Sequence, residues 1–262
     1  MKPLMMKMIP VQTGSRVPAA ASLTVMLLGV AVIVGWTADI VFLKSIGPEW
    51  VTMKVNTAVC LFLAGLALWF RCDEGAQGWR RTAGMVCAGM VLAIAAATLG
   101  EYALSANFGI DQLLLAQRPD SAGFSEPGRM SPATVVNFLL AGLALLMLDR
   151  QAGGGRRPAF LLVWVSAAIG LLAFAGYLYG VLSLYEFSPF SSMAVHTALG
   201  FVVLAAGMLF ARKWTGMLQV LTSYAMGGEL ARRLIPLAVG VPLGLGWLRL
   251  QGERLGFYGL EF

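Results

Sequence analysis

The side chains in this sequence that could do chemistry gather at the starts of three apolar segments. Met53 opens MKVNTAVCLFLAGLAL, Met130 opens MSPATVVNFLLAGLAL and Met193 opens MAVHTALGFVVLAAGM. Each has a threonine at the same place: Thr57, Thr134 and Thr197. Lys54, Asn56, Arg129, Asn137 and His196 lie in or beside the same stretches. These groups can form a polar ring around a pocket, which is a means of binding or sensing; nothing in the set has the look of a catalytic site. The plainer account is helix initiation. Ser131 followed by Pro132 has the pattern of an N-cap and a first helical turn, and Thr134 can bond first-turn backbone groups.

His196 is the only histidine. It could act as a proton sensor or as a single axial haem ligand, whereas haem held by two histidines of this chain is impossible. Packing or interhelical hydrogen bonding would equally account for it. Asp39 and Glu101 fall at the outer ends of apolar segments. Acids at such depth are paired or functional, and Lys54 or Arg129 could be their partners; interfacial water would serve them as well. The stretch from Ser105 to Ser131 holds Gly109-Ile110-Asp111-Gln112 before three leucines. We expect a short interfacial helix there, lining a ligand site or capping the bundle. No metal site is expected, because Cys60, Cys72 and Cys87 show no paired spacing. The sequence does not specify a cofactor.

The elements that must position these residues follow from composition. Hydrophobic residues make up 58% of the chain and charged residues 12%, about half the charge of a soluble domain. The charges are clustered in short connections, as a bilayer requires when a charge at its centre costs on the order of 3 kcal/mol. A net charge of +6 is therefore no sign of nucleic acid, since no basic stripe interleaved with aromatics exists. The expected fold is all-α: a polytopic transmembrane helix bundle of seven spans forming one domain over residues 1–262. The spans are expected near Ala19–Leu43, Val55–Phe70, Thr82–Leu104, Pro132–Leu148, Ala159–Leu182, Ala194–Phe210 and Leu234–Leu250. Pro236 and Pro242 would kink or shorten the last.

The Lys/Arg distribution sets the sidedness. Arg16, Arg71, Arg80, Arg81, Arg150, Arg156, Arg157, Arg212 and Arg232 fall in connections on one side, which is read as cytoplasmic. This places the N-terminus inside and the chain in a bacterial inner membrane, with lipid as its main partner. Trp36, Trp50, Tyr177, Tyr179 and Tyr185 cluster near the outer boundary, where an aromatic belt accounts for them. Ala211–Arg233 reads as a connection with a helix lying in the inner interface.

The segments also repeat. A helix runs out, a loop follows and a Met-headed helix returns, giving hairpins near 17–70, 82–148 and 159–210 and a half-repeat at 234–262. Gly35-Trp36, Gly100-Glu101, Gly176-Tyr177 and Gly246-Trp247 mark matching outer ends. Gly65 with Ala67, Gly142 with Ala144 and Ala205 with Gly207 place small residues at matching depths, where helix backbones can approach closely. An eighth, returning span is expected to complete the pattern.

The stretches LKSIGPEWVTMKVNTAVCLFLAGLAL, GIDQLLLAQRPDSAGFSEPGRMSPATVVNFLLAGLALLML and GGELARRLIPLAVGVPLGLGWLRL resemble the N-terminal membrane region of bacterial sensory proteins. In these, eight spans precede PAS, histidine-kinase or diguanylate-cyclase modules. The resemblance covers about Val41 to Phe262 and implies a signal-transduction input domain that is not itself an enzyme and works as a dimer. The 262 residues contain no phosphorylation His-box, ATP-binding glycine motif or GGDEF. A non-catalytic accessory subunit packed in a larger inner-membrane complex is the alternative. Transport is a weaker third reading, since only the seventh segment is strongly broken.

Overall fold

The computed structural model describes residues 16–47, 50–72, 77–115, 127–151, 157–179 and 192–212, together with 244, 246–248 and 251–252. Among them are seven α-helices, one 3-10 turn and no strand. The helices are α1 (Arg16–Thr37), α2 (Val41–Lys44), α3 (Val55–Phe70), α4 (Trp79–Leu104), α5 (Pro132–Leu146), α6 (Ala159–Tyr179) and α7 (Val195–Ala211), with the 3-10 turn at Ile110–Gln112.

Three helices, α1, α4 and α6, are long and apolar enough to cross a membrane. The other three, α3, α5 and α7, are apolar but shorter. This difference has a physical basis in the packing. The short helices α3, α5 and α7 touch one another, and each gap between them is covered by a long one. Helix α4 packs on α3 and α5, α6 on α5 and α7, and α1 on α7 and α3. A 16-residue helix such as α3 is about 24 Å long, less than the ~30 Å hydrocarbon core. Non-helical backbone at that depth is tolerated only where protein shields it from lipid. The short helices have part of that shield from the long ones packed around them.

Exposure differs in degree. The outer helices present large apolar side chains outward, among them Leu27 on α1, Val86 on α4 and Leu161 on α6, and the inner helices expose fewer, among them Val136 and Leu143 on α5 and Phe210 on α7. The inner helices bury the rest in layers at equal distances from the three methionines. Leu61, Phe138 and Phe201 form one such set and Leu68, Leu145 and Met208 another, all fully buried. The rings of Phe138 and Phe201 meet edge-on with centroids 4.7 Å apart.

The small residues sit at close helix contacts. A Cβ at Gly29 would lie 2.6 Å from the Ala58 carbonyl oxygen, and one at Gly65 would lie 2.9 Å from that of Ser22. α1 and α3 thus approach backbone to backbone at two levels. Gly142 instead receives the Leu92 side chain of α4, and Gly207 the Ala21 side chain of α1.

Two expected boundaries are corrected. The first span does not run unbroken to Leu43. It ends at Thr37, and α2 follows as a separate turn. Asp39 is left-handed at φ 55°, and the Ile40 amide donates to the Gly35 carbonyl at 2.9 Å. This helix-ending motif turns the chain away. Helix α4 ends identically, with Ser105 left-handed at φ 48° and the Ala106 amide donating to Glu101 at 3.1 Å. Of the interfacial helix expected between Ser105 and Ser131, the described residues show the 3-10 turn at Ile110–Gln112, and residues 116–126 lie outside them. The seventh expected segment, Leu234–Leu250, falls almost wholly outside the described residues, and the connection Ala211–Arg233 beyond Arg212 lies outside them too.

Candidate functional site

The inner helices carry polar groups at both ends. At the methionine end, each is preceded by an extended residue: Lys54, Ser131 and Ala194. Extended backbone leaves carbonyls without helical partners, and the outer helices supply donors. The Trp36 indole donates to the Met53 carbonyl at 2.8 Å, the Tyr102 hydroxyl to that of Met130 at 2.7 Å, and the Tyr177 hydroxyl to that of Met193 at 2.8 Å. Each bond joins the last turn of an outer helix to the entry of the following inner one.

This alignment corrects the expected register. By these bonds Trp36 corresponds to Tyr102, not to Glu101, so Glu101 stands where α1 has Gly35. The left-handed residues agree, since Asp39 and Ser105 each follow three positions after the aromatic donor. Sequence reasoning assigned Trp36 and Tyr177 to a general aromatic belt and overlooked Tyr102.

A small cleft of about 10 Å³, the room of a single water, opens between the three entries. The first inner helix contributes Met53, Lys54 and Thr57, preceded by Thr52. The second contributes Ser131 and Thr134, and the third Ala194 and Thr197, preceded by Ser192. Ser131 and Thr134 also form the expected cap. The Thr134 amide donates to Ser131 Oγ at 3.3 Å, and the two hydroxyls lie 2.8 Å apart. Capping and cleft lining, read from the sequence as alternatives, coexist.

The remaining candidates divide into other places. Arg129, Asp111 and Glu101 form a buried cluster beside the cleft. Arg129 Nε donates to Asp111 Oδ2 at 2.8 Å and lies 3.5 Å from Glu101 Oε2, while its Nη2 donates to the Ala106 carbonyl at 3.2 Å. The guanidinium also covers the Tyr102 ring at 5.4 Å. Glu101 Oε1 accepts the Phe108 amide at 2.8 Å. Burial alone would lower the Arg129 pKa, but the bond to Asp111 and the charges of Asp111 and Glu101 outweigh it and raise the value. One cation thus serves two buried carboxylates, and Glu101 Oε2 and Asp111 Oδ1 accept no hydrogen bond.

Asn56 donates to the Ile110 carbonyl at 3.0 Å, tying α3 to the 3-10 turn. Asp39 pairs with Lys44 at 2.5 Å on an exposed edge. Lys44 in turn lies over Trp36 at 4.9 Å. His196 and Asn137 are buried in the inner helices, and their polar side-chain atoms have no hydrogen-bond partner. The expected single ring of eight residues is therefore divided: Lys54, Thr57, Thr134 and Thr197 line the cleft, and Asn56, Arg129, Asn137 and His196 lie elsewhere. Helix rotation decides this: Thr57 and Asn56 are adjacent in sequence yet point about 100° apart around the helix axis. Among the described residues, no group of three His, Cys, Asp or Glu could hold a metal ion.

The opposite end holds a cluster that sequence reasoning missed. Asp149, just after α5, lies between two arginines. Arg71 Nη2 is 2.5 Å from its Oδ2, and Arg212 Nε and Nη2 are each 2.8 Å from its Oδ1. Arg71 also donates to the Leu145 carbonyl, and Arg212 to the Arg71 carbonyl at 2.9 Å. Burial would raise the Asp149 pKa, but the bonds and charges of Arg71 and Arg212 outweigh it and hold the carboxyl below its usual range. Counting from the methionines could have exposed this cluster, because Asp149 stands as far from Met130 as Arg212 from Met193. These arginines were read only as topology signals.

No protein-family model matches the chain, and no curated protein or solved structure matches it either.

Proposed function

We propose that this chain is the membrane-embedded input domain of a bacterial signal-transduction protein, built from repeated helical hairpins in seven spans. The observation that carries this reading is the linkage of two polar ends by the same three inner helices. A hydroxyl-lined cleft lies among their entries. The Arg71–Asp149–Arg212 clamp closes their exits. A ligand that shifts one entry acts on a shielded rod whose far end is held by buried charge, and two-state coupling between sites requires such a contiguous connection. The matching aromatic donors at all three entries support the hairpin repeat.

The basic connections support an inner-membrane placement with the clamp facing the cytoplasm and the cleft facing outward. Single cysteines at positions 80 and 156, in a chain whose three native cysteines are replaced, are then shielded from a membrane-impermeant thiol reagent in intact cells. Labelling of both from outside refutes the placement.

The sensing role is tested by joining the chain to a cytoplasmic histidine-kinase module and measuring autophosphorylation. Substitutions at Thr197 and Asp149 are expected to shift output without loss of membrane insertion. Unchanged output from both, with co-purification of other membrane proteins at fixed stoichiometry, favours an accessory subunit instead.

A further inference from the structure

In the Arg129 cluster two acids share one cation, and this decides what else the site must hold. Glu101 is 0% exposed, Asp111 4% and Arg129 7%. With both acids ionised, two negative charges would face one positive charge out of reach of water. A buried titratable group left without a counter-charge neutralises instead. The two carboxyl groups also stand within hydrogen-bonding reach of each other. An ionised carboxylate only accepts, and two that share a site do not both lose their protons.

The bonding pattern agrees. Glu101 Oε1 accepts the Phe108 amide, and Asp111 Oδ2 accepts from Arg129 Nε. Glu101 Oε2 and Asp111 Oδ1 are buried and accept no hydrogen bond. A proton on one acid turns an orphan acceptor into a donor, with the other acid as its acceptor. A metal cation would lie against the guanidinium, and among the described residues no third His, Cys, Asp or Glu completes a group with these two. Asp111 belongs to the 3-10 turn, Arg129 precedes α5, and Tyr102 of α4 uses its hydroxyl at the Met130 carbonyl. Helix α3 brings Lys54 to this end, where it lines the cleft.

We infer that Glu101 and Asp111 hold one proton between them at neutral pH, which makes the cluster a proton-binding site at the methionine end. The site joins the last turn of α4, the 3-10 turn and, through Arg129, the entry of α5. Asn56 ties the same turn to α3. Loss of the proton leaves an unmatched charge inside that joint and loosens the entries of two inner helices. Hydrogen ions are thereby the signal class for the sensing role, and only this consequence rests on that role. Proton binding is measured on the purified chain, with no cytoplasmic output. Failure of either is therefore distinguishable from failure of the other.

The test is infrared spectroscopy of the full chain in detergent. The carbonyl stretch of a protonated carboxyl group is expected from the native chain at neutral pH. It should be lost in the near-isosteric variants Glu101→Gln and Asp111→Asn, in each of which the remaining acid pairs with Arg129 as an ion. Reversible unfolding gives a second reading. A free glutamate loses its proton at about pH 4.3, so between about pH 5 and 7 the folded chain holds a proton that the unfolded chain has lost. Stability then falls as pH rises through this window. The unfolding constant of the native chain, relative to that of Glu101→Gln, should rise about tenfold per pH unit. Asp111→Asn keeps both measurements available if Glu101→Gln does not fold. The inference is overturned by a native spectrum without the band, by a band that survives the substitutions, or by a ratio that stays flat over that window.

Discussion

Arg212 donates through Nη1 to the carbonyl oxygen of Arg71 at 2.9 Å, although the two are 141 residues apart in the chain. Two cations approach so closely because one carboxylate, Asp149, lies against both. The exits of α3, α5 and α7 are joined by this group, which is the basis of the first prediction.

Asp149→Asn leaves two buried guanidinium groups without their counter-charge. The expected cost is about 2 kcal/mol, read as a lower unfolding midpoint in detergent at neutral pH. The pH dependence has a definite sign. The folded pKa of Asp149 is depressed, so its contribution is fully present above the unfolded value near 3.9 and is lost as pH falls through the lower folded value. The gap between native and variant midpoints should therefore narrow below about pH 4. A gap constant down to pH 2 would contradict the assignment.

The three aromatic-to-methionine bonds should be separable. Tyr102→Phe and Tyr177→Phe each remove the hydroxyl that donates to a methionine carbonyl while keeping the ring. Each should cost about 1 kcal/mol. Their effects should add within about 0.5 kcal/mol, since they act on different helices, α4 and α6. Unfolding of both single variants and the double variant checks this.

Arg129→Gln removes the cation shared by Glu101 and Asp111. Two buried carboxylates then lack compensation, and the expected loss is about 3 kcal/mol or more. Adding Asp111→Asn should recover part of that loss, because it removes one of the stranded charges. A double-variant cycle measures the recovery. Strict additivity of the two losses would show that the groups do not interact.

Gly29→Leu forces side-chain atoms into the Ala58 backbone, from which even a Cβ would be 2.6 Å away. Overpacking of this kind costs about 1–3 kcal/mol. The same change at Gly89, where a Cβ would meet nothing within 4 Å, should have little effect. Comparing their midpoints separates helix contact from general helix propensity.

The helices were legible where composition alone decides them. Val55–Phe70 has the expected bounds, and α4 to α7 begin or end within a few residues of expectation. The break after Thr37 was not legible, because Asp39 carries no glycine or proline signal and only the left-handed turn reveals it. Small residues at Gly65, Gly142 and Gly207 were read correctly as contact points, since only small residues allow such approach. The polar ring was read too coarsely. Spacing from the methionines placed Thr57, Thr134 and Thr197 together, but could not place Asn56, Arg129 or His196 around the helix axes.

The amino-acid order by itself determined that these segments are apolar helices, that charge is confined to their ends, and that three of them begin alike. Those properties depend on neighbours a few positions away and on the solvent each segment can tolerate. Which helices lie inside, which carbonyl receives Tyr102, and that one aspartate holds two arginines were decided only by tertiary structure. These relationships join residues far apart in sequence, and they form when packed helices exclude other partners from groups that must be satisfied.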